Sequence, residues 1–172
     1  QPGDLFVAVP GTRSHGARHA RGALDAGAVA VLTDEAGLDI LRAEQIVGEG
    51  DALPRPVPVV LLPAGSDPHR APGAAAAFFY GRPSAALTSF GVTGTNGKTT
   101  TTYLLDHLLA ALGRTVGLVG TVETRSGSRV LPSRLTTPDA TSLQAVLATM
   151  LEDGVDVLAM EVSSHSISQR RV

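Results

Sequence analysis

The sequence predicts an α/β protein in which parallel sheets are flanked by helices. A small α/β domain is expected over residues 1–84, followed over residues 85–172 by the opening part of a central domain with a parallel sheet. Short runs of Val, Leu and Ala alternate with helix-compatible segments, most cleanly after residue 84. A glycine-rich loop separates one of these strands from the next helix. With 43% hydrophobic and 17% charged residues, the chain has the composition of a folded domain.

In the first domain, aliphatic runs bounded by turn-forming residues predict three strands, and the segments between them predict helices. Strands are expected at residues 5–9, 29–32 and 57–62, helices at 18–27, weakly at 34–45 and from 67 to about 80, and a loop at 47–55. Gly81–Ser84 is the expected linker, because Gly and Pro interrupt regular structure there.

In the second domain, the same reasoning predicts three strands, two helices and one hairpin or loop. Strands are expected at 88–92, 116–119 and 155–162, helices at 99–112 and from Asp139 or Thr141 to 152, and the hairpin at 121–131. The first of these helices carries four apolar residues, Tyr103, Leu104, Leu108 and Leu112, and Gly113 is placed to end it.

Composition excludes several classes of protein. The net charge is −2 and basic residues form no stripe, which argues against nucleic acid as a partner. The chain has no cysteine, so it has no disulfide or thiolate metal site, in keeping with a cytoplasmic protein. No apolar run approaches the roughly 20 residues of a membrane-spanning helix, and no protein partner is evident. Because the chain begins with Gln1 and stops after a polar run, we expect a fragment of a longer protein.

The most informative residue is Lys98, the only lysine among 14 basic residues. It lies where the glycine-rich run 91–100 meets the next helix. Backbone N–H groups of such a loop, the positive end of the helix and a compact ammonium group all attract phosphate. The usual spacing of a phosphate-binding loop (P-loop) would place glycine at position 92, where this chain has Val92. A glycine-rich turn with an incidental lysine is the alternative interpretation.

Glu161 is the second candidate, because it ends a predicted apolar strand. In a parallel sheet the carboxyl ends of strands face the ligand crevice, where a carboxylate can hold Mg²⁺ together with the Thr99 hydroxyl of the P-loop. The alternative is a solvated acid at a strand end. Asp156 stands near the start of the same strand, the wrong end for this role.

Three other polar motifs suggest a catalytic or metal-binding role at first sight, but a different interpretation is favoured for each. Ser163-Ser164-His165 contains hydrolase residue types, but neighbours in sequence rarely form a nucleophile–base pair and no Gly-x-Ser-x-Gly surrounds the serine. Ligand contacts from a loop are the better interpretation there. Thr136–Asp139 precedes a helix, and local chemistry favours capping. His15 and His19 have a metal-like spacing, yet no third ligand is nearby and Gly16 disfavours a helix, so a loop or surface role is expected.

Three motifs together resemble the Mur ligases of peptidoglycan synthesis, and most closely the members that add the third amino acid to UDP-N-acetylmuramoyl-L-alanyl-D-glutamate. The motifs are Gly91–Thr101, Leu135–Pro138 and Glu161–His165. Pro2–Ala8, with Gly11 and Gly16, is similar to the uridine-binding first domain of that family. His15–His19 is similar to actinobacterial members, which favours meso-diaminopimelate as the added amino acid.

The resemblance implies a set of site residues. Lys98 would be catalytic, and Thr99 and Glu161 would hold Mg²⁺. ATP would be bound by Gly94, Thr95, Asn96, Gly97, Lys98, Thr99 and Thr100. The UDP-muramoyl substrate would be bound by Thr12, Arg13, Ser14, Thr136, Thr137, Ser163, Gln169 and Arg171. Leu135 stands where some relatives carry Asn, and the residues around Gln169 also depart from the common pattern.

The implied reaction forms an amide bond through an acyl phosphate, with ATP and Mg²⁺ and no protein nucleophile. Family members also use a carbamylated lysine and a third domain, which this chain does not supply, so the fragment alone is expected to be inactive. The alternatives are a related ligase that adds L-lysine, a folylpolyglutamate- or cyanophycin-like synthetase, and a non-catalytic nucleotide-binding module.

Overall fold

The computed structural model describes residues 2–11, 13–48, 57–132 and 136–172. They form two compact units, Gln1–Ala71 and Pro72–Val172. The fold class is α/β, as predicted, with parallel strands in both units. A domain boundary at residue 84 stays a prediction.

The first unit contains a three-stranded parallel sheet in the order β1 (Leu5–Ala8), β2 (Ala30–Thr33) and β3 (Val59–Leu61). Between the strands lie α1 (Ala20–Asp25) and α2 (Glu35–Ala43). All three strands lie within the ranges that the sequence predicted or overlap them. Aliphatic side chains, half of them alanine, form the core: Ala8, Ala17, Ala20, Val31, Leu41 and Ile46.

The segment before α1 differs from the prediction. Gly16 does not prevent helical structure, because a 3₁₀ turn covers Gly16–His19, capped by His15, whose Nδ1 accepts a hydrogen bond from the Ala17 amide at 3.1 Å. His15 is also not a surface residue. Its Nε2 lies 3.0 Å from Asp34 Oδ1, and its side chain is mostly buried. His15 thus lies outside the helices and strands, as a loop role implies, but the expectation of a surface role is wrong for it.

The second unit contains a five-stranded sheet. Its strands are β4 (Thr88–Val92), β5 (Val116–Val119), β6 (Thr124–Ser126), β7 (Arg129–Leu131) and β8 (Val157–Glu161). The order is β4-β8-β5-β6-β7. The first three in this order are parallel, whereas β6 and β7 form an antiparallel hairpin at the place where the sequence predicted one.

Five helices accompany these strands in the described residues: α3 (Ala71–Phe79), α4 (Pro83–Ala86), α5 (Lys98–Ala111), α6 (Ala140–Glu152) and α7 (Ser164–Ser168). A 3₁₀ turn, Pro68–Arg70, leads into α3. The expected linker at residues 81–84 is partly helical, because Pro83 begins α4 and is buried. None of the helices in the described parts of the chain combines the length and apolarity that crossing a membrane requires.

Helix α5 packs on the sheet with a different face from the one suggested by its leucines. Tyr103, Leu105 and Leu109 pack against a cluster of Val116, Leu118 and Ala159. Three of the four apolar residues noted in the sequence, Leu104, Leu108 and Leu112, are 66%, 59% and 69% exposed. The helix instead turns Thr102 and Asp106 inward, and Asp106 forms an ion pair with Arg125 of β6 at 2.6 Å.

Asp139 caps the N-terminus of α6, one of the two positions predicted for this role. Its Oδ1 accepts hydrogen bonds from the backbone amides of Thr141 at 3.1 Å and Ser142 at 3.0 Å, and both hydroxyls also donate to the carboxylate. Burial acts to raise the pKa of Asp139, but these hydrogen bonds outweigh it and hold that pKa below its ordinary value.

Replacing Asp139 with alanine is expected to lower the free energy of unfolding by about 1 kcal/mol at neutral pH. The pKa of Asp139 is lower in the folded protein than in the unfolded one. The ionised cap therefore stabilises the fold at pH values above 3.8, the ordinary pKa of this group, and this stabilisation is lost as the pH falls through the folded-state pKa. Asp139→Asn is the matched control, since asparagine caps as well and does not ionise. Urea unfolding at several pH values measures the effect. An alanine variant as stable as the wild type at neutral pH would contradict it.

Candidate active site

The glycine-rich loop, residues 93–97, joins the carboxyl end of β4 to the first turn of α5. Gly94 has a φ of 145° and Gly97 a φ of 81°, which are conformations that residues with a Cβ rarely adopt. Gly97 occupies the N-cap position and supplies no side-chain cap, and the first turn of α5 contains no acidic residue. The loop therefore leaves the positive end of α5 accessible to an anion.

The departure from the usual P-loop spacing has a structural reason. Val92 is the last residue of β4, where it pairs with Glu161 of β8. The position is part of the sheet, so the chain needs no glycine there.

Lys98 begins α5, and its side chain folds back across the loop. Its Nζ donates a hydrogen bond to the carbonyl oxygen of Gly94 at 2.8 Å. The ammonium group therefore lies beside the loop backbone, where an anion held by the loop amides would meet it. Thr95, Asn96 and Thr100 are exposed along the same segment.

Glu161 ends β8 and lies against α5. Its side chain is almost completely buried, at 1% exposure, and the Thr99 hydroxyl donates to its Oε2 at 3.1 Å. The sequence named these two residues as a pair, and the structure brings them together. Their role in holding a metal stays a prediction. Asp156, at the other end of the strand, forms an ion pair with Arg114 at 2.9 Å.

Two further residues at this site escaped the sequence reasoning. The backbone N–H of Thr121 donates to Glu161 Oε1 at 2.8 Å, and its hydroxyl lies 3.1 Å from Oε2. A Cβ on Gly120 would lie 2.6 Å from Oε1, so any larger residue there would displace the Glu161 carboxylate from this position. Their position in the sequence could have identified them, because both follow β5, a third parallel strand that ends at the same edge of the sheet.

The oxygen atoms at this edge fit a magnesium ion. Mg²⁺ prefers oxygen ligands at about 2.1 Å in an octahedron, which places adjacent ligands about 3.0 Å apart. Thr99 Oγ1 and Glu161 Oε2 are separated by 3.1 Å. Within the described residues no group of three or more His, Cys, Asp or Glu side chains could hold a metal. A metal here would therefore take its remaining ligands from phosphate and water, as is usual for Mg²⁺.

Thr136 and Thr137 contact this site and do not cap α6, so the capping interpretation is wrong for them. The Thr137 hydroxyl donates to the backbone carbonyl of Glu161 at 2.9 Å and accepts from the Ser163 amide at 3.4 Å. The hydroxyl oxygens of Thr136 and Thr121 lie 3.1 Å apart. Because Asp139 already caps the helix, both threonines are available to the sheet edge.

The segment after Glu161 was expected to be a loop but contains α7. Ser163 caps this helix, since its Oγ accepts from the Ser166 amide at 3.1 Å. His165 Nε2 lies 2.7 Å from the Gln169 side-chain nitrogen. Ser163 and His165 thus have different partners and do not form the nucleophile–base pair of a hydrolase. Gln169 is exposed and Arg171 half-buried.

The remaining predicted residues belong to the first unit. Arg13 and Ser14 are exposed in a tight loop that the Gly11 amide closes by donating to the Ser14 carbonyl at 3.0 Å. Thr12 lies outside the described residues, and so does Leu135 of the second motif, for which no substrate contact was predicted. The predicted contacts of all these residues with a substrate stay predictions.

Two family models match the chain. The one described as "Mur ligase middle domain" matches residues 92–172, and the one described as "Mur ligase family, catalytic domain" matches residues 1–60. The two matches include the P-loop, Glu161 and the loop that carries Arg13.

Curated relatives are similar over nearly the whole chain. The chain is 49% identical over 168 residues to the UDP-N-acetylmuramoyl-L-alanyl-D-glutamate--2,6-diaminopimelate ligase of Corynebacterium glutamicum. The matched region covers 98% of the chain and 30% of that protein. It is 47% identical over 172 residues to the protein of the same name from Streptomyces avermitilis, covering 100% of the chain and 31% of that protein. The chain thus spans about 30% of the length of these relatives.

A solved structure of a UDP-N-acetylmuramoyl-L-alanyl-D-glutamate--2,6-diaminopimelate ligase has a similar fold. It matches with a TM-score of 0.66 at 24% identity, over 99% of this chain and 31% of that one. The likeness agrees with the α/β architecture described above.

Proposed function

The chain belongs to the Mur ligase family, and on that premise we propose that it is part of an ATP-dependent ligase of peptidoglycan synthesis. The enzyme would add the third amino acid, meso-diaminopimelate, to UDP-N-acetylmuramoyl-L-alanyl-D-glutamate. The observation that carries the proposal is the contact between Thr99 and Glu161 beside the glycine-rich loop. The curated relatives named for this reaction support the choice of substrate.

The P-loop would bind the ATP phosphates. Its backbone amides and the positive end of α5 face the anion, and Lys98 would exchange its hydrogen bond with Gly94 for one to a phosphate oxygen. Thr95, Asn96 and Thr100 would line the nucleotide. Thr99 and Glu161 would hold Mg²⁺, which offsets phosphate charge when it is bound.

The reaction needs no nucleophile from the protein. An oxygen of the D-glutamate carboxylate attacks the γ-phosphorus of ATP, the bond to ADP breaks, and an acyl phosphate forms. The amine of the incoming amino acid then attacks the acyl carbon, and the tetrahedral intermediate releases phosphate and a proton. The contribution of the chain is to position the reactants and to neutralise charge, and Lys98 would act on the transferring phosphoryl group.

The UDP-muramoyl substrate would be contacted by the residues that the sequence predicted for it. Thr136 and Thr137 lie at the same sheet edge as Glu161, and the Ser163 amide donates a hydrogen bond to the Thr137 hydroxyl. Gln169 and Arg171 follow on the same segment. In the first unit, Thr12, Arg13 and Ser14 would contact the uridine end.

The complete protein containing this chain tests the proposal. It is incubated with UDP-N-acetylmuramoyl-L-alanyl-D-glutamate, ATP, Mg²⁺ and either meso-diaminopimelate or L-lysine, and the tripeptide product and ADP are quantified by chromatography. We expect product with meso-diaminopimelate only, with one ADP for each tripeptide. Product with L-lysine alone would reassign the amino acid. Nucleotide binding without ADP formation would favour the non-catalytic module.

A further inference from the structure

The turn between β5 and β6, residues 120–123, encloses the carboxylate of Glu161. Glu161 Oε1 faces Gly120, where an added Cβ would lie 2.6 Å from it, and accepts a hydrogen bond from the Thr121 amide at 2.8 Å. This leaves Oε2 to face both the Thr99 and the Thr121 hydroxyls, each at 3.1 Å. The backbone and hydroxyl of Thr121 thus fix the orientation of the Glu161 carboxylate, with one oxygen toward Gly120 and the other toward Thr99.

The chemistry of the carboxylate fixes the direction of the hydrogen bonds. An ionised carboxylate only accepts, and a hydroxyl has a single hydrogen to donate. The Thr121 hydroxyl therefore donates to Glu161, and the Thr136 hydroxyl, 3.1 Å away, donates to Thr121. A directed chain of hydrogen bonds runs from Thr136 through Thr121 to Glu161.

The turn is also braced against α5, the helix that carries Thr99. The Gly120 amide donates to the Glu123 carbonyl at 3.0 Å and closes the turn. The Glu123 carboxylate accepts from the Tyr103 hydroxyl at 3.2 Å and from Arg125 Nε at 3.4 Å. Burial, and then the Glu123 carboxylate, raise the pKa of Tyr103, so its hydroxyl stays a donor at neutral pH. Thr99 and Thr121 are therefore held on one connected framework.

We propose that Thr121 is a positioning residue for the metal-holding carboxylate. Its hydroxyl and amide together orient Glu161 so that Oε2 faces Thr99, and its contact with Thr136 connects this carboxylate to a residue proposed to bind the UDP-muramoyl substrate. The proposal rests on the proposed function, since it concerns the same site. It assigns to Thr121 a role through Glu161, without contact with the reacting atoms.

Metal affinity of the complete protein tests the proposal independently of ligation. Mn²⁺ is titrated in the presence of ADP, and free Mn²⁺ is measured by electron paramagnetic resonance. Thr121→Val keeps the shape and the amide but loses the hydroxyl, and we expect it to weaken Mn²⁺ binding by about 10- to 100-fold, the usual effect of losing a partner of a metal ligand. Thr121→Ser restores the hydroxyl and should lie within a few-fold of the wild type.

Thr115→Val is the matched control. Thr115 lies just before β5, at the opposite end of the same strand, and is exposed. It should leave Mn²⁺ binding unchanged, and thermal unfolding of the variants establishes that each is folded. A Thr121→Val variant that binds Mn²⁺ as tightly as the control would overturn the proposal. So would failure of serine to restore binding, or the absence of saturable Mn²⁺ binding in the wild type.

The same measurements separate this proposal from the proposed function. If the wild-type protein binds Mn²⁺ with ADP but forms no tripeptide, the ligase assignment is contradicted. Weaker Mn²⁺ binding by the Thr121→Val variant would still support the role of Thr121 in that case. Conversely, full ligase activity with unchanged Mn²⁺ affinity in Thr121→Val supports the function and overturns the positioning role.

Discussion

Lys98→Ala in the complete protein is expected to lower kcat/KM for tripeptide formation by about 100- to 1000-fold or more, the range seen when one donor to a developing charge is removed. Lys98 is the only lysine in the chain, so no neighbouring lysine of this segment can substitute for it. Its ammonium group has one protein partner described here, the Gly94 carbonyl, which water can replace. The thermal unfolding midpoint should therefore change little while activity is lost.

Lys98→Arg is the informative control for Lys98→Ala. Arginine keeps the positive charge but presents a planar, branched group that does not match a compact ammonium beside the loop backbone. We expect it to restore only a small part of the activity. Steady-state assays of ADP release with both substrates present measure the effect. Turnover near the wild-type rate in the alanine variant would refute phosphate binding by this lysine.

Glu161→Gln is expected to produce the second large effect, a loss of about 100-fold in kcat/KM together with a higher Mg²⁺ concentration at half-maximal rate. The amide is nearly the same size as the carboxylate, so the buried site can still be filled. Its oxygen can continue to accept from the Thr121 amide, while the nitrogen replaces the oxygen that faces Thr99. The substitution thus removes charge and a metal ligand with little change in packing.

Asp156→Asn provides the control on the same segment. This acid lies at the opposite end of the strand from Glu161 and pairs with the half-exposed Arg114, so its loss should leave the Mg²⁺ dependence unchanged. Rates measured across a Mg²⁺ titration compare the two variants with the wild type. Equal Mg²⁺ dependence in Glu161→Gln and the wild type would show that Glu161 holds no metal in the working enzyme.

Local sequence patterns predicted most elements of this fold. Strands β4 and β5 have the predicted bounds, and the hairpin of β6 and β7 lies within the predicted range 121–131. These features depend on residues that are close in sequence, such as runs of β-branched side chains and glycines at positive φ. The helix face was harder to predict, because α5 is held by contacts with residues distant in sequence, such as the ion pair between Asp106 and Arg125, which are 19 residues apart.

The sequence by itself determined the glycine-rich loop with its single lysine, the acid at the end of a buried strand, and the family. Each of these is encoded in a contiguous stretch or in residue identity. Only the tertiary structure decided that Gly120 and Thr121 enclose Glu161 and that Thr136 and Thr137 contact this site and do not cap a helix. The physical reason is that parallel strands bring distant loops to one edge of a sheet, and no local pattern specifies which loops meet there.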